Sequence, residues 1–347
     1  MKTADDIGWD LQALLGPRAR ESRWLKVRQP RVTGSVYGVL SGVNTYSTVW
    51  DLYKIKRGEQ KPQPAGWNAR RGQVLEPEIL KKAQADPLRP WAFEVIETPR
   101  FILHPDHDLI GCSPDFLAYT TNPDLCAQLG AWPVKIMGEI KSRDGTKARN
   151  YKITDQWPGY TPAEESQVRF NMMCAGADVG LLVVQCIAEE TIYRPIFRDL
   201  QIEAEMIKTC QSFLHCVKEA DTDALFDLAE SAEQQFHVVA ERFEKLRSET
   251  LDLDNPTVDD LIDHLHQIKA QQKDLKAQEA GIKVLLAQAF EDYERIETPR
   301  HVATWKAAKP RRTFDTARLL SVFPGMNLDP YYKTSAPKGR GPLRIKV

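Results

Sequence analysis

The chain of 347 residues is 42% hydrophobic, and its 47 Lys and Arg residues almost balance its 48 Asp and Glu residues, for a formal net charge of −1. This composition is enough to bury the core of one large domain or of two modest ones. The sequence has no apolar run of membrane-spanning length, and "MKTADDIGWDLQALLG" lacks the basic-then-apolar layout of a secretory signal. Neither membrane insertion nor export is therefore indicated, and we expect a cytoplasmic protein by default.

The first predicted elements are helices. Residues 24–60 contain short apolar runs between turn signals, which predicts helical pieces joined at glycines, with Thr45 or Ser47 capping a helix that ends at Lys56. The stretch "GQVLEPEILKKAQAD" predicts an amphipathic helix, in which Pro77 fits only near the first turn.

Strands and helices then alternate. The stretches "AFEVIETPRFIL", "LIGCSPDFLAY" and "VKIMGEIK" predict three strands, because they alternate or run apolar. A helix is predicted for "PAEESQVRFNMMCAGA", two more strands for "VGLLVVQCIA" and "TIYRPIF", and a closing helix for "LQIEAEMIKTCQSFLHCVKEA". The sum is an α/β sheet covered by helices.

The last third of the chain is polar and helical. From Leu261 to Tyr293 a seam recurs at alternating steps of four and three residues, as in a coiled coil, with Gln272 and Glu279 as interruptions. An earlier helix over residues 231–247 has matching spacing. We favour an antiparallel helical hairpin over a coil between chains.

The segment after this seam is basic. Residues 298–347 contain eleven Lys and Arg residues against two acidic ones, so this tail suits a polyanionic partner. It could also serve solubility alone.

The six cysteines are scattered, with no C-x-x-C pair and no His/Cys knuckle. This spacing argues against zinc and iron–sulfur sites. Because most of the cysteines lie in apolar stretches, we expect reduced thiols in the core.

Charged residues interrupt the third predicted strand. With a period of two, Glu139 and Lys141 project from the same face of "VKIMGEIK". A carboxylate there suits a hard divalent cation, and an ammonium can orient water or stabilise charge on phosphorus. Asp115, at the start of an adjacent strand, would supply a second carboxylate. The alternative without catalytic function is a salt bridge between Glu139 and Lys141 on an exposed strand face.

Four blocks of residues, in order, resemble a known family. Pro114-Asp115 followed by Glu139-Ile140-Lys141 resembles the PD-(D/E)XK nuclease signature. Three further stretches resemble blocks of the lambda-exonuclease/YqaJ branch of phage recombination nucleases: "RVTGSVYGVLSGVNTYSTVWDLYKIKRG", "RRGQVLEPEIL" and "ESQVRFNMMCAGAD". The resemblance covers residues 20–200. It implies a restriction-endonuclease-like core with a mixed central sheet flanked by helices.

The resemblance implies roles for the matching acidic and basic residues. Asp115, Glu139 and the backbone carbonyl of Ile140 would bind a pair of Mg²⁺ ions, with Mn²⁺ as a tolerated substitute. Lys141 would activate or position the attacking water. Glu76 would support the second metal, often through water; the alternative is a first-turn residue favoured by the helix dipole.

Further residues are implied to bind the substrate. Gln167 would help hold the scissile region, and Arg28 and Ser35 would clasp a 5′-phosphate, with Lys56 as a companion. The nearby Arg31 leaves open which arginine binds phosphate. Ser35 could instead be a helix cap and Gln167 a solvent-facing residue.

The implied activity is that of a metal-dependent 5′-to-3′ exonuclease on double-stranded DNA ends. It would release 5′-mononucleotides and leave 3′ single strands for phage-type recombination by strand annealing. The implied partners are DNA, a phage single-strand annealing protein, and further copies of the chain in a ring, with a trimer favoured. The setting would be a phage or prophage protein in a bacterial host.

This interpretation divides the chain into three parts. Residues 1–222 would form the exonuclease domain, residues 223–297 the hairpin or coiled coil, and residues 298–347 the basic segment, with Lys309, Arg311 and Arg312 contacting DNA.

Two rival functions keep the same core. One is an endonuclease acting in restriction, repair or junction cleavage, which closed circular DNA would distinguish. The other is a DNA-binding factor without activity. The presence of Asp115, Glu139 and Lys141 together argues against the second rival, because an inactive site has no need for all three.

Overall fold

The computed structural model describes fourteen ranges of the chain: residues 4–11, 13–15, 20–44, 46–62, 66–97, 101–143, 150–154, 157–186, 191–229, 235–236, 238–239, 253–291, 293–298 and 302–304. The chain divides into two compact units, Met1–Glu244 and Lys245–Val347. Within the described ranges, no helix combines the length and the apolar composition needed to cross a bilayer.

The first unit contains eight of the described helices and eight of the described strands. The helices are α1 (Glu21–Arg28), α2 (Gly34–Leu40), α3 (Val49–Lys56), α4 (Trp67–Ala85), α5 (Pro123–Leu129), α6 (Pro162–Ala175), α7 (Leu200–Glu219) and α8 (Thr222–Leu228). The strands are β1 (Ala13–Leu15), β2 (Glu94–Glu97), β3 (Phe101–His104), β4 (His107–Cys112), β5 (Phe116–Thr120), β6 (Val134–Arg143), β7 (Val179–Cys186) and β8 (Thr191–Phe197).

A mixed five-stranded sheet organises this unit. Its strand order is β2-β5-β6-β7-β8, and β6 and β7 are the parallel pair among otherwise antiparallel neighbours. A smaller antiparallel sheet has the order β1-β3-β4. The predicted α/β class, with a mixed central sheet flanked by helices, is confirmed.

Strand β6 separates two layers of the core. Met137 packs in the layer that includes Val168 of α6, whereas Ile136 and Ile140 pack in the layer that includes Ile79 of α4. The predicted alternation along this strand is therefore confirmed. Because Glu139 and Lys141 share the parity of Met137, they face the α6 side of the sheet.

The two longer predicted strands before β6 are each broken. "AFEVIETPRFIL" forms β2 and β3, and "LIGCSPDFLAY" forms β4 and β5, with the members of each pair in different sheets. In the second case Ser113, Pro114 and Asp115 leave the ladder between the sheets. This break places Asp115 directly before β5, opposite the middle of β6.

Two local predictions about helices were wrong. Pro77 lies inside α4, ten residues after its start at Trp67, rather than in a first turn. The carbonyl of Gln73 consequently receives no helical N–H from residue 77. The cap of α3 is Thr48, whose side chain accepts from the N–H of Asp51 in a capping box; it is not Ser47, and position 45 lies outside the described residues.

The core of the first unit extends past residue 222. Leu225 of α8 is fully buried in the same cluster as Phe213 of α7. All six cysteines are buried and none forms a disulfide, as predicted.

The second unit contains helix α9 (Pro256–Phe290) and a two-stranded antiparallel sheet of β9 (Arg295–Glu297) and β10 (Val302–Thr304). The predicted seam lies on α9 up to Phe290, where Glu291 takes a positive φ of 45° and the helix ends. Tyr293 therefore lies beyond the helix. Most of residues 231–247, the predicted partner helix, and all residues after 304 lie outside the described ranges.

Close packing of α6 on β7 generates a stability prediction. A Cβ added at Gly180 would lie 2.3 Å from Val168 Cγ1. We expect Gly180→Ala to lower the free energy of unfolding by roughly 1–3 kcal/mol, because the helix must shift or strain. Denaturant titration measures this value. Gly281→Ala is the control, since its added Cβ meets nothing within 4 Å, and it should not destabilise. If Gly180→Ala has the stability of the wild type, helix α6 can move away from β7 at no measurable cost, which would contradict this prediction.

Candidate active site

A buried carboxylate is the centre of the site. Glu139 on β6 is only 3% exposed. Its Oε1 accepts hydrogen bonds from Lys141 Nζ and Gln167 Nε2, each at 2.6 Å, and its Oε2 accepts one from Asn171 Nδ2 at 3.0 Å. A salt bridge on an exposed strand face is thereby ruled out. The four side chains form one connected polar cluster between β6 and α6.

Lys141 is held between two oxygen atoms. Its Nζ also donates to Gln167 Oε1 at 3.1 Å. Burial lowers the pKa of Lys141, but the charges of Glu139 and Asp115 outweigh burial and keep it above its usual value. The side chain therefore carries a positive charge, which suits orienting water and stabilising charge on a phosphate better than accepting a proton.

Asp115 brings a second carboxylate to the same place. Its Oδ2 accepts from the backbone N–H of Ile140 at 2.6 Å. Burial, followed by the like charges of Glu139 and Glu76, raises the pKa of Asp115 well above its usual range. Burial and Glu139 likewise raise the pKa of Glu76, which reaches the cluster from α4. Three acidic groups thus converge where charge is poorly tolerated.

These groups suit a hard divalent cation. Asp115, Glu139, Glu76 and Ile140 line one open cleft of 660 Å³ and offer oxygen ligands, the kind that Mg²⁺ prefers. As placed, no three His, Cys, Asp or Glu side chains of the described residues would hold a metal by themselves. Backbone carbonyls and water commonly complete the coordination of Mg²⁺.

Two of the predicted phosphate residues, Arg28 and Ser35, lie in the same cleft. Arg28 Nη2 donates to Ser35 Oγ at 2.8 Å and to Thr33 Oγ1 at 3.2 Å, and its guanidinium lies 4.5 Å from the centroid of the Trp24 ring. Tyr46 donates to the carbonyl of Ser35 at 2.6 Å. These contacts fix the orientation of the guanidinium.

The geometry distinguishes Arg28 from its neighbours. Arg31 donates to the carbonyls of Asp108 and Val27, both at 2.7 Å, so its guanidinium is used within the fold. Lys56 Nζ donates to the carbonyl of Arg31 at 2.5 Å and to that of Arg28 at 3.3 Å. Burial, and then the charge of Arg28, lower the pKa of Lys56 to about 7. Lys56 therefore supports the segment that carries Arg28 and does not line the cleft.

Sequence reasoning missed several residues of this cleft. Asn171 lies four positions after Gln167, on the same face of α6, and this spacing could have identified it. Trp24 and Ser113 also line the cleft, with Trp24 Nε1 donating to Ser113 Oγ at 2.9 Å. The predicted tail contacts, Lys309, Arg311 and Arg312, lie outside the described residues.

Residues 23–178 match the family model described as the YqaJ-like viral recombinase domain. This range contains every predicted site residue from Arg28 to Gln167, and the resemblance to this family is confirmed over it. No curated protein sequence matches the chain.

Three solved structures are similar at low identity. An alkaline exonuclease (LHK-Exo) from Laribacter hongkongensis is 19% identical, with a TM-score of 0.41 over 57% of this chain and 93% of that one. The structure of LHK-Exo in complex with dAMP is 18% identical, with a TM-score of 0.42 over 57% of this chain and 93% of that one. The structure of SSO0001 is 14% identical, with a TM-score of 0.29 over 58% of this chain and 86% of that one. These superpositions are too distant to assign an activity.

The converging carboxylates generate a prediction about stability and pH. A folded-state pKa raised above the unfolded value contributes stability at low pH that is lost as pH rises through the folded pKa. In EDTA, ionisation of Asp115 in the folded protein is opposed by burial and like charges, so Asp115→Asn should raise the free energy of unfolding, and more so as the pH rises. Denaturant titrations at pH 5 and pH 8 measure this difference, which should be larger at pH 8.

Asp178→Asn is the control for this measurement, because Asp178 lies outside the cleft and accepts from the N–H of Lys135. Its variant should show no such gain at pH 8. A loss of stability in Asp115→Asn at pH 8 would contradict the electrostatic account.

Proposed function

Because residues 23–178 match a YqaJ-like viral recombinase domain, we propose that the chain is a Mg²⁺-dependent exonuclease of the phage recombination type. It degrades one strand of duplex DNA from its 5′ end, releases 5′-mononucleotides and leaves 3′ single strands for annealing. Mn²⁺ can replace Mg²⁺ in this proposal.

One observation carries the proposal more than any other. Asp115, Glu139 and Lys141 come from positions up to 26 residues apart and meet in one cleft of the matched domain, joined by a 2.6 Å contact between Lys141 and Glu139. Such a group has no structural necessity, since buried like charges destabilise a fold unless a ligand compensates them.

Each residue has a role in this reaction. Asp115, Glu139 and the Ile140 carbonyl would hold divalent cations, and Glu76 would support this binding. When bound, the cations neutralise charge on the attacking and leaving oxygens. Lys141 orients the attacking water, and Gln167 fixes both Lys141 and Glu139.

The Arg28 end of the cleft supports action at a DNA end. A half-buried guanidinium beside two hydroxyls can bind the several oxygens of a terminal phosphate. Since each cleavage creates a new 5′-phosphate, rebinding at Arg28 and Ser35 would move the strand forward by one nucleotide.

The wider assembly belongs to the same proposal. The exonuclease domain extends past residue 222 to include α8, whose Leu225 is buried in its core. Helix α9 belongs to a helical hairpin or coiled coil, and residues 298–347 form a basic DNA-contacting segment. The partners are duplex DNA ends, other copies of the chain in a trimeric ring, and a phage single-strand annealing protein. The protein acts in the cytoplasm of a bacterial host.

Substitutions in the cluster test the catalytic assignment. We expect Glu139→Ala and Lys141→Ala each to lower kcat by about 10²-fold or more while DNA binding is largely retained, because these groups act on the transition state. Mononucleotide release from linear duplex with Mg²⁺ or EDTA measures this. Glu165→Ala is the control, since Glu165 pairs with Arg169 outside the cleft.

Near-wild-type, Mg²⁺-dependent cleavage by Glu139→Ala would remove Glu139 from the site. Cleavage of covalently closed circular duplex by the wild type would favour an endonuclease instead.

The terminal-phosphate pocket has its own test. Wild type should degrade 5′-phosphorylated duplex faster and more processively than 5′-hydroxyl duplex, and Arg28→Ala should lose most of this preference, because it loses a charge-assisted contact. Single-turnover rates on both ends measure the preference. Arg31→Ala is the matched control, since Arg31 binds backbone carbonyls. Equal wild-type rates on the two ends would argue against the pocket.

A further inference from the structure

Strand β6 and helix α6 contact each other through a row of paired side chains. The pairs are Asn171 with Glu139, Gln167 with Lys141, and Glu164 with Arg143. The three strand residues are two positions apart and share one face, and the three helix residues share one face as well. The row therefore continues one step past Lys141, to Arg143, which the reaction described above does not use.

Arg143 is anchored by a buried acid and a tyrosine. Its Nε donates to Tyr151 Oη at 2.8 Å and its Nη2 donates to Glu164 Oε1 at 2.7 Å. Tyr151 Oη donates to the same Glu164 oxygen at 2.7 Å, and Glu164 is only 3% exposed. These bonds use two of the five N–H donors of a guanidinium and set its plane.

The anchored guanidinium faces the cleft. The Arg143 side chain is 31% exposed and lines the same cleft as Glu139. Neutralising Glu164 does not require the guanidinium of Arg143 to be exposed to the cleft. Its position instead makes it available to a ligand in the cleft.

The order of residues along the cleft gives Arg143 a place relative to the scissile bond. A Cβ at Gly34, beside Ser35, would lie 2.7 Å from Asn171 Oδ1, so the terminal-phosphate pocket lies at the Asn171 end of the row. Arg143 lies at the opposite end, past Lys141. A strand that enters with its 5′-phosphate at Ser35 therefore runs past Glu139 and Lys141 toward Arg143.

We propose that Arg143 binds the phosphate immediately 3′ to the scissile phosphate on the strand being cut, with Glu164 and Tyr151 as its positioning residues. Residues two apart on a strand are separated by about 6.7 Å, a step of the same order as that between successive phosphates of an extended strand. Preorganisation by two anchors lowers the entropic cost of the contact. This inference rests on the proposed nuclease function.

A neutralised phosphate tests the contact directly. Two duplexes are compared, each with a 5′-phosphate and one uncharged methylphosphonate on the strand being cut. In the first duplex the methylphosphonate replaces the second linkage from the 5′ end, which is next to the scissile linkage. In the other duplex it replaces a linkage far from the 5′ end. With wild type and Mg²⁺, the second-linkage substitution should lower kcat/KM for the first nucleotide by roughly 10-fold or more, as expected for a lost charged hydrogen bond. The distant substitution should change it little.

Variants assign the effect to Arg143. Arg143→Gln should lower kcat/KM on unmodified DNA by a similar factor and be insensitive to the second-linkage methylphosphonate, because the two changes remove one interaction. Arg198→Gln is the matched control: Arg198 also pairs with a buried glutamate, Glu203, at 2.9 Å, but does not line the cleft. It should keep the full methylphosphonate effect.

Two outcomes would overturn the contact. One is a wild type that cleaves the second-linkage duplex at the unmodified rate, a result that needs no variant to fold. The other is an Arg143→Gln protein that is folded by circular dichroism and retains the wild-type response to the methylphosphonate.

Binding separates this inference from the proposed activity. In EDTA, wild type should bind the second-linkage duplex more weakly than unmodified duplex. Absent cleavage together with this weaker binding would overturn the exonuclease function and support the contact. Equal binding of the two duplexes would overturn the contact, whether or not cleavage occurs.

Discussion

The burial of the Glu139 carboxylate is the constraint on which the rest of the first unit depends. A charge on a central strand destabilises a sheet unless donors surround it. Here the donors come from Lys141 on the same strand and from Gln167 and Asn171 on α6. Helix α6 must therefore lie close to β6, and Gly180 provides the room for that approach.

The same burial explains the electrostatic imbalance of the cleft. Lys141 compensates the charge of one carboxylate. Asp115 and Glu76 add two more carboxylates, and the same lysine is the cation that acts on both of them. A fold organised only for stability would place apolar residues there. A cation bound by these carboxylates, as proposed above, would offset this cost.

Alternation in "VKIMGEIK" was sufficient to predict the face that carries Glu139 and Lys141, because a period of two is a local property. The breaks that separate β4 from β5 could not be predicted from apolar content, since both halves are strands and only pairing partners distinguish the sheets. The interior position of Pro77 was missed for a related reason: tertiary contacts of α4 outweigh one lost hydrogen bond.

The positions of long basic side chains were the least predictable part of the site. Lys56 and Arg31 look as suitable for phosphate as Arg28 in sequence, but their donors go to backbone carbonyls that only the folded chain brings near. The sequence does not indicate a role for Arg143, because its hydrogen-bond partners Tyr151 and Glu164 lie 8 and 21 residues away along the chain. Distance along the chain, not residue type, limited the prediction.

The parallel pairing of β6 with β7 has a consequence for where this chemistry can be placed. Parallel neighbours require a crossover, and crossovers are right-handed in about 98% of cases. Helix α6 lies in this crossover, so the handedness of the connection selects the face of the sheet that receives its amide side chains. A slip of β6 by one residue would turn Glu139 to the opposite face, away from them. The chirality of the chain thus decides on which side of the sheet a buried acid can be tolerated.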